Sequence, residues 1–298
     1  MNTLTQELQS SKSNLIQFKE TTQRVLNYLP DVLNEESEFS RYVICSSKIA
    51  QTKKSIRPFR KDLFIRDSKT FEKKYASFDK ILQRLVKGDR IFREEDYQLV
   101  DSVVYTIQQT LGIGLDLMVE SNSARKHVGN RFEELIRTLF GSLGISFKKV
   151  VLSIPYETDE GEKFYRCETD VIISPYDKVK SDSKSIDKNE IVISLKTTTK
   201  DRMPKIFIDK VLMERFLGYP VRVVGISQND IQRKEGSKTK ISYTFVSNLF
   251  MVYTRFLAQL EGYYYLDPPP KALEKPFNQH IFPFSKFLLT DLWKMLGT

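Results

Sequence analysis

The run EIVISLKTTTKDR, Glu190–Arg202, changes character within a few residues. Its first part, Glu190–Thr197, is dense in β-branched and apolar side chains and reads as a buried strand. The threonines and the Lys-Asp-Arg triplet that follow are polar and suit a turn. Pro204 then fits the first turn of a helix over Pro204–Leu217, and Val221–Ser227 is again β-rich. Upstream, Ile145–Ser153 and Arg166–Ser174 are two more β-rich runs. The polar stretch Pro175–Asn189 between the second of these and Glu190 reads as a hairpin loop. The order helix, three strands, helix, strand predicts an α/β fold.

The helix preceding the strands is SNSARKHVGNRFEELIRTLFGSLGI, Ser121–Ile145, with Val128, Phe132, Leu135, Leu139 and Phe140 on one face and Gly141 or Gly144 to end it. Further along, a helix is expected over Ser247–Gly262, an extended Tyr-Tyr-Tyr-Leu-Asp-Pro-Pro-Pro segment after it, and a short helix around Trp293. Residues 1–120 read as a helical N-terminal region. Their apolar stripes include Leu8, Leu15, Phe18, Val25 and Leu26, then Phe71, Tyr75, Phe78, Leu82 and Leu85. Residues 121–298 read as a second region, in which strands and helices are mixed. Between those stripes, Thr52–Arg66 is basic and broken by Pro58. Its Lys53, Lys54, Arg57, Arg60 and Lys61 either grip phosphates or decorate a solvated loop.

Composition narrows the chemistry. The 298 residues carry 47 Lys+Arg against 38 Asp+Glu, a net charge of +9 that favours a polyanionic partner. Two cysteines, Cys45 and Cys167, cannot build a disulfide framework or a four-thiolate zinc site. Two histidines, His127 and His280, remove most zinc-hydrolase and Ser-His-Asp schemes. Gly112 and Gly114 are not followed by Gly-Lys-Ser/Thr, which disfavours a phosphate loop. No apolar run reaches the ~20 residues that span a bilayer, and no secretory signal is legible, so a cytoplasmic protein without a membrane partner is expected. Tyr263–Tyr265 could stack on a base, although packing is the simpler role.

Asp170 follows the start of one β-rich run and Lys196 ends the next, so adjacent strands can bring both to one rim of a sheet. A carboxylate there can hold Mg²⁺, a hard cation that takes oxygen ligands. An ammonium beside it can stabilise charge growing on a phosphodiester.

The surroundings sharpen this reading. Ser194-Leu195-Lys196 leads into Lys200-Asp201-Arg202 and then Asp209, and Gly129-Asn130-Arg131-Phe132-Glu133 precedes the strands. This order closely resembles the CCGG family of type II restriction endonucleases in the PD-(D/E)XK nuclease superfamily, especially members that cut CC and GG around a central base pair. It covers about residues 125–216, with Ser194–Arg202 the specific part. The resemblance implies a restriction-endonuclease-like core, a central mixed β-sheet flanked by helices, with residues 121–298 as the catalytic domain and the helical N-terminal region, residues 1–120, added for DNA contact or dimerisation. It implies Asp170 as the central metal ligand and Lys196 as the catalytic lysine. Asp209 would be the second acid, moved from the position of Ser194 to the next helix, with Glu214 as the alternative, and Glu133 an outer acid of the active site. Two departures are Thr169 in place of proline before Asp170, and Asp209 where relatives commonly carry glutamate.

Lys200, Asp201 and Arg202 would read C·G pairs, since lysine and arginine donate to guanine O6 and N7 and a carboxylate accepts from cytosine N4. Alternatively, Asp201 merely caps the helix after it. The implied activity is Mg²⁺-dependent cleavage of double-stranded DNA at a CC(N)GG-type palindrome. The products would carry 5′-phosphate and 3′-hydroxyl ends. The implied assembly is a homodimer, with a companion DNA methyltransferase acting on the same site. A less specific nuclease of repair or a mobile element, and a non-catalytic DNA-binding protein, are the rival readings.

Overall fold

The computed structural model describes residues 3–49, 52–234 and 241–297. They form two compact units, one of Met1–Leu143 with Gln228–Thr244, the other of Gly144–Ser227 with Phe245–Thr298. The boundary drawn near residue 120 from the sequence falls instead between two helices of the first unit.

In the first unit, helices α1 (Leu4–Gln9) and α2 (Leu15–Val32) lead into strands β1 (Leu33–Phe39), β2 (Tyr42–Ile49), β3 (Thr52–Ser55) and β4 (Phe59–Arg60). Helices α3 (Ser68–Val86), α4 (Glu94–Met118) and α5 (Ser121–Ser142) follow. The middle of α4, from Val103 to Leu115, is buried on every face, and the helix packs against α1, α2, α3 and α5. Its two glycines serve that packing. A Cβ on Gly112 would lie 2.4 Å from the Arg57 guanidinium, and one on Gly114 would lie 2.9 Å from Leu8. Arg57 in turn grips Asp116, Nε and Nη2 each at 2.8 Å from a carboxylate oxygen.

Helix does not run throughout residues 1–120, because β1 to β4 form an antiparallel sheet in which β2 pairs with β1, β3 and β4. The described basic residues of this stretch each have a partner within the unit, although Lys61 remains exposed. Lys54 donates to the Leu117 carbonyl at 2.9 Å, Arg60 pairs with Asp62 at 2.7 Å and Lys61 with Glu38 at 2.6 Å. The side chain of Lys53 lies outside the described residues.

The second unit is built on a mixed sheet. Its elements are β5 (Ser146–Lys148), β6 (Val151–Thr158), β7 (Gly161–Glu168), β8 (Val171–Ser174), β9 (Ile191–Lys196), α6 (Met203–Leu217) and β10 (Arg222–Ser227). A two-stranded ribbon, β11 (Ile231–Arg233) with β12 (Ile241–Tyr243), belongs to the first unit. Then come α7 (Ser247–Phe256), β13 (Gly262–Tyr265), β14 (Ile281–Pro283), α8 (Phe284–Lys286) and α9 (Leu292–Leu296). The strand order is β14-β13-β10-β9-β8-β5. The first four run parallel, while β8 is antiparallel to both β9 and β5. Parallel strands need crossovers; α6 lies in that from β9 to β10, α7 in that from β10 to β13, and two short 3-10 turns in that from β13 to β14.

Side chains alternate across the sheet. Tyr263 and Tyr265 pack with Phe207 of α6 and Phe250 of α7 in one core, while Tyr264 turns the other way onto Phe287, ring centroids 4.9 Å apart. These tyrosines are therefore packing residues. The helix expected over Ser247–Gly262 stops at Phe256, because the chain must extend to enter β13. The run Ile145–Ser153 divides into β5 and β6, and β6 forms a long hairpin with β7. Pro175–Asn189 does connect antiparallel neighbours, and it is ordered by buried Glu190, which accepts from the Lys180 and Ser181 amides at 2.6 and 2.9 Å. Among the described residues no helix is long and apolar enough to cross a membrane.

Candidate active site

The antiparallel pairing of β8 and β9 decides the site. Val171 opposes Ile193, so the residue before Val171 meets the residues after Ile193. Asp170 sits in the bend between β7 and β8, and Ser194, Leu195 and Lys196 close β9 beside it. One carboxylate oxygen of Asp170 accepts from the Leu195 amide at 2.7 Å, from Lys196 Nζ at 2.6 Å and from Ser194 Oγ at 3.3 Å. Lys196 also donates to the Leu195 carbonyl at 3.1 Å. Both charged groups are largely withdrawn from solvent, with 15% of the Lys196 side chain and 24% of that of Asp170 exposed.

Thr169 fixes the bend. It is buried, its hydroxyl donates to the Val150 carbonyl at 2.9 Å and accepts from the Val150 amide at 3.1 Å, and its own amide donates to the same carbonyl at 3.0 Å. A threonine thus holds this turn by hydrogen bonds where a proline would hold it by restricting φ.

Asp170, Lys196 and Asp209 line one cavity of about 350 Å³, together with Ser194, Cys167 and Lys205. Asp209 stands on α6, its carboxylate oxygens 2.7 and 2.8 Å from Lys205 Nζ one turn earlier. Burial lowers the affinity of the Lys205 amine for its proton, but the hydrogen bond and charge of Asp209 outweigh this and hold its pKa above the usual lysine value. Burial, with the Asp209 charge adding to it, pushes the Cys167 thiol up to about 11. Glu214, the alternative second acid, is engaged elsewhere: it accepts from Lys210 Nζ at 2.7 Å and from the Val221 amide at 3.0 Å.

Among the described residues no three carboxylate, thiolate or imidazole groups converge on one point. The oxygen donors lining the cavity include Asp170, Asp209, Glu168 and the Ser194 hydroxyl, and the one sulfur, Cys167, is kept as a neutral thiol by burial. This donor set fits a hard ion such as Mg²⁺, which takes one or two carboxylates and completes its shell with water and substrate phosphate.

The remaining candidates are not among the residues that line this cavity. Lys200, Asp201 and Arg202 are exposed on the turn between β9 and α6. The turn is closed by the Thr199 carbonyl, which accepts from the amides of Arg202 at 3.0 Å and Met203 at 2.9 Å. Asp201 adopts a left-handed φ of 56°, a conformation that aspartate tolerates better than most residues. It does not cap the helix: the cap position is Arg202, which makes no side-chain cap bond. Glu133 belongs to the first unit, on α5, where Arg137 donates to its carboxylate at 3.4 Å. Sequence reasoning passed over Lys205, although a lysine four positions before Asp209 on an expected helix is a legible i,i+4 pair.

No family model matches the chain. No curated protein matches it either. Among solved structures, the type IIP restriction endonuclease Kpn2I is similar, with a TM-score of 0.72 and 17% identity over 95% of this chain and 91% of that one. The restriction endonuclease PspGI, solved in complex with substrate DNA, gives a TM-score of 0.41 and 12% identity over 76% of this chain and 91% of that one. The chain has the fold of Kpn2I, a mixed central sheet flanked by helices.

Proposed function

We propose that this chain is a Mg²⁺-dependent type II restriction endonuclease. It cuts double-stranded DNA at a CC(N)GG-type palindrome as a homodimer, leaving 5′-phosphate and 3′-hydroxyl ends. The observation that carries the proposal is the meeting of Asp170, Lys196 and Asp209 on one cavity at the strand ends of a sheet with the Kpn2I fold. Ligands of α/β sheets bind beyond the carboxyl ends of the parallel strands, where β9 delivers Lys196.

Each residue has a task that its contacts support. Asp170 and Asp209 would hold the ion, which when bound neutralises phosphate charge and lowers the pKa of water. The Leu195 amide and Ser194 hydroxyl aim Asp170. Asp170 holds the Lys196 ammonium at the rim, where it donates to a phosphate oxygen as negative charge grows. Lys200, Asp201 and Arg202, exposed only a few residues beyond Lys196, read the C·G pairs and tie the cut to the sequence. Glu133 is assigned as an outer acid of the active site. A chain with this activity requires a companion DNA methyltransferase that protects the same sites in its own genome.

A digest of plasmid DNA of known sequence with Mg²⁺ tests the reading. Discrete, reproducible fragments ending at CC(N)GG sites are expected, with none after EDTA or in Lys196→Ala. A smear would instead identify a nuclease of low specificity. Asp170→Asn is expected to abolish cutting while specific DNA binding persists, and joint loss of both in a folded variant would mean the site is misassigned.

A further inference from the structure

One cation in the cavity has no part in the reaction as proposed above. Lys205 Nζ contacts both carboxylate oxygens of Asp209, at 2.7 and 2.8 Å, while 56% of its own side chain remains exposed. Asp209 is the less exposed partner at 18%, and it faces the same cavity as Asp170. Lys205 occupies the two oxygens that any incoming ion must take, and its exposed stem lets it leave without disturbing the core. A lysine ammonium is a flexible point charge with no fixed geometry, so the pair opens easily.

We infer that Lys205 is a resident counter-cation of Asp209, which a divalent ion must displace before the metal site is complete. This rests on the metal-site reading above and adds a regulation to it. The ammonium competes with the ion for Asp209 by mass action. It also repels a divalent ion at Asp170, because both carboxylates border one cavity. A phosphate entering the cavity offers Lys205 another partner, so arrival of DNA releases Asp209 and metal loading becomes linked to substrate binding. In the free protein the site is held poised against premature occupation by metal.

The test is direct Mn²⁺ binding to the full chain without DNA, read by electron paramagnetic resonance, so that no catalytic turnover enters. Lys205→Met is expected to bind Mn²⁺ on the order of tenfold more tightly than wild type. Lys205→Arg, which keeps the charge, is expected to stay near the wild-type affinity. The gain from Lys205→Met should shrink in an Asp209→Asn background. Loss of a merely structural contact would not tighten metal binding. An affinity of Lys205→Met equal to or weaker than wild type, while Asp170→Asn still abolishes binding, would overturn the inference and leave the metal site standing. If Asp170→Asn leaves Mn²⁺ binding intact, the metal-site reading itself falls, and the inference with it.

Discussion

At the residue scale, the candidate site depends on how one bend is held. Thr169 is buried and spends its hydroxyl on both polar groups of Val150. Replacing it by valine keeps the shape but leaves the Val150 amide without its acceptor, a loss of about 1–3 kcal/mol. Thr169→Val is therefore expected to lower stability by that amount in urea unfolding and to reduce cleavage, because Asp170 follows immediately. Thr169→Ser should recover most of both; if valine unfolds at the wild-type midpoint, the hydroxyl is dispensable. Arg202 presents a different case, since its exposed side chain has no hydrogen-bond or ion-pair partner among the described residues. Truncation to alanine should cost little stability but about 1–3 kcal/mol of discrimination at one G·C pair. Binding measured on single-substitution duplexes checks this, and a uniform weakening on every duplex would make Arg202 a phosphate contact.

At the scale of elements, Arg57 is one of several residues that couple α4 to the strand region before it. Arg57 lies against Gly112 with its guanidinium on Asp116, so Gly112→Ala must eject the arginine and leave a half-buried carboxylate short of its partner. The cost expected is about 2–3 kcal/mol, close to that of Arg57→Ala, and the double variant should cost scarcely more than either single one. Additive losses in the denaturation cycle would show that the glycine acts through something other than Arg57. The same element shows why part of the fold was hidden in the sequence. Gly112 and Gly114 could be excluded as a phosphate loop, but nothing local announces an arginine arriving from residue 57. The strands between residues 33 and 60 escaped notice because β1 is mostly polar, three of its seven residues being glutamate, and lacks a period-two apolar pattern. The hairpin β6–β7 escaped for a related reason, with β7 exposed at every position except Cys167. By contrast, β8, β9 and β10 are buried on both faces and read as unbroken apolar runs, and α6 was legible from Pro204 to Leu217. Asp170 and Lys196 were legible because they terminate those clear strands. The pairing of Lys205 with Asp209 needed only helical periodicity, whereas the engagement of Glu214 by Lys210 and Val221 needed the tertiary turn after α6.

At the scale of the whole molecule, each chain carries one Asp170–Lys196–Asp209 cavity, and under the proposed function one such site would break one strand. A palindrome presents the same target on both strands, related by a two-fold axis, so two copies acting in register are required for a double-strand break. The net charge of +9 supports approach to the phosphate backbone but does not choose between one copy and two. A mixed assembly does. A heterodimer of one wild-type chain and one Asp170→Asn chain, isolated through two different tags, retains both sets of Lys200, Asp201 and Arg202 and should bind the palindrome normally. With one competent cavity it should convert supercoiled plasmid to nicked circle and stop there, whereas wild type proceeds to linear DNA. Nicking at a rate near half that of wild-type first-strand cleavage would show that the two sites act independently on their own strands. Linear product from the mixed dimer at the wild-type rate would mean that one cavity serves both strands, and the two-site arrangement would then be wrong. Absence of even a nick would show instead that both Asp170 carboxylates are needed before either strand is cut, which places the coupling between subunits at the metal-loading step.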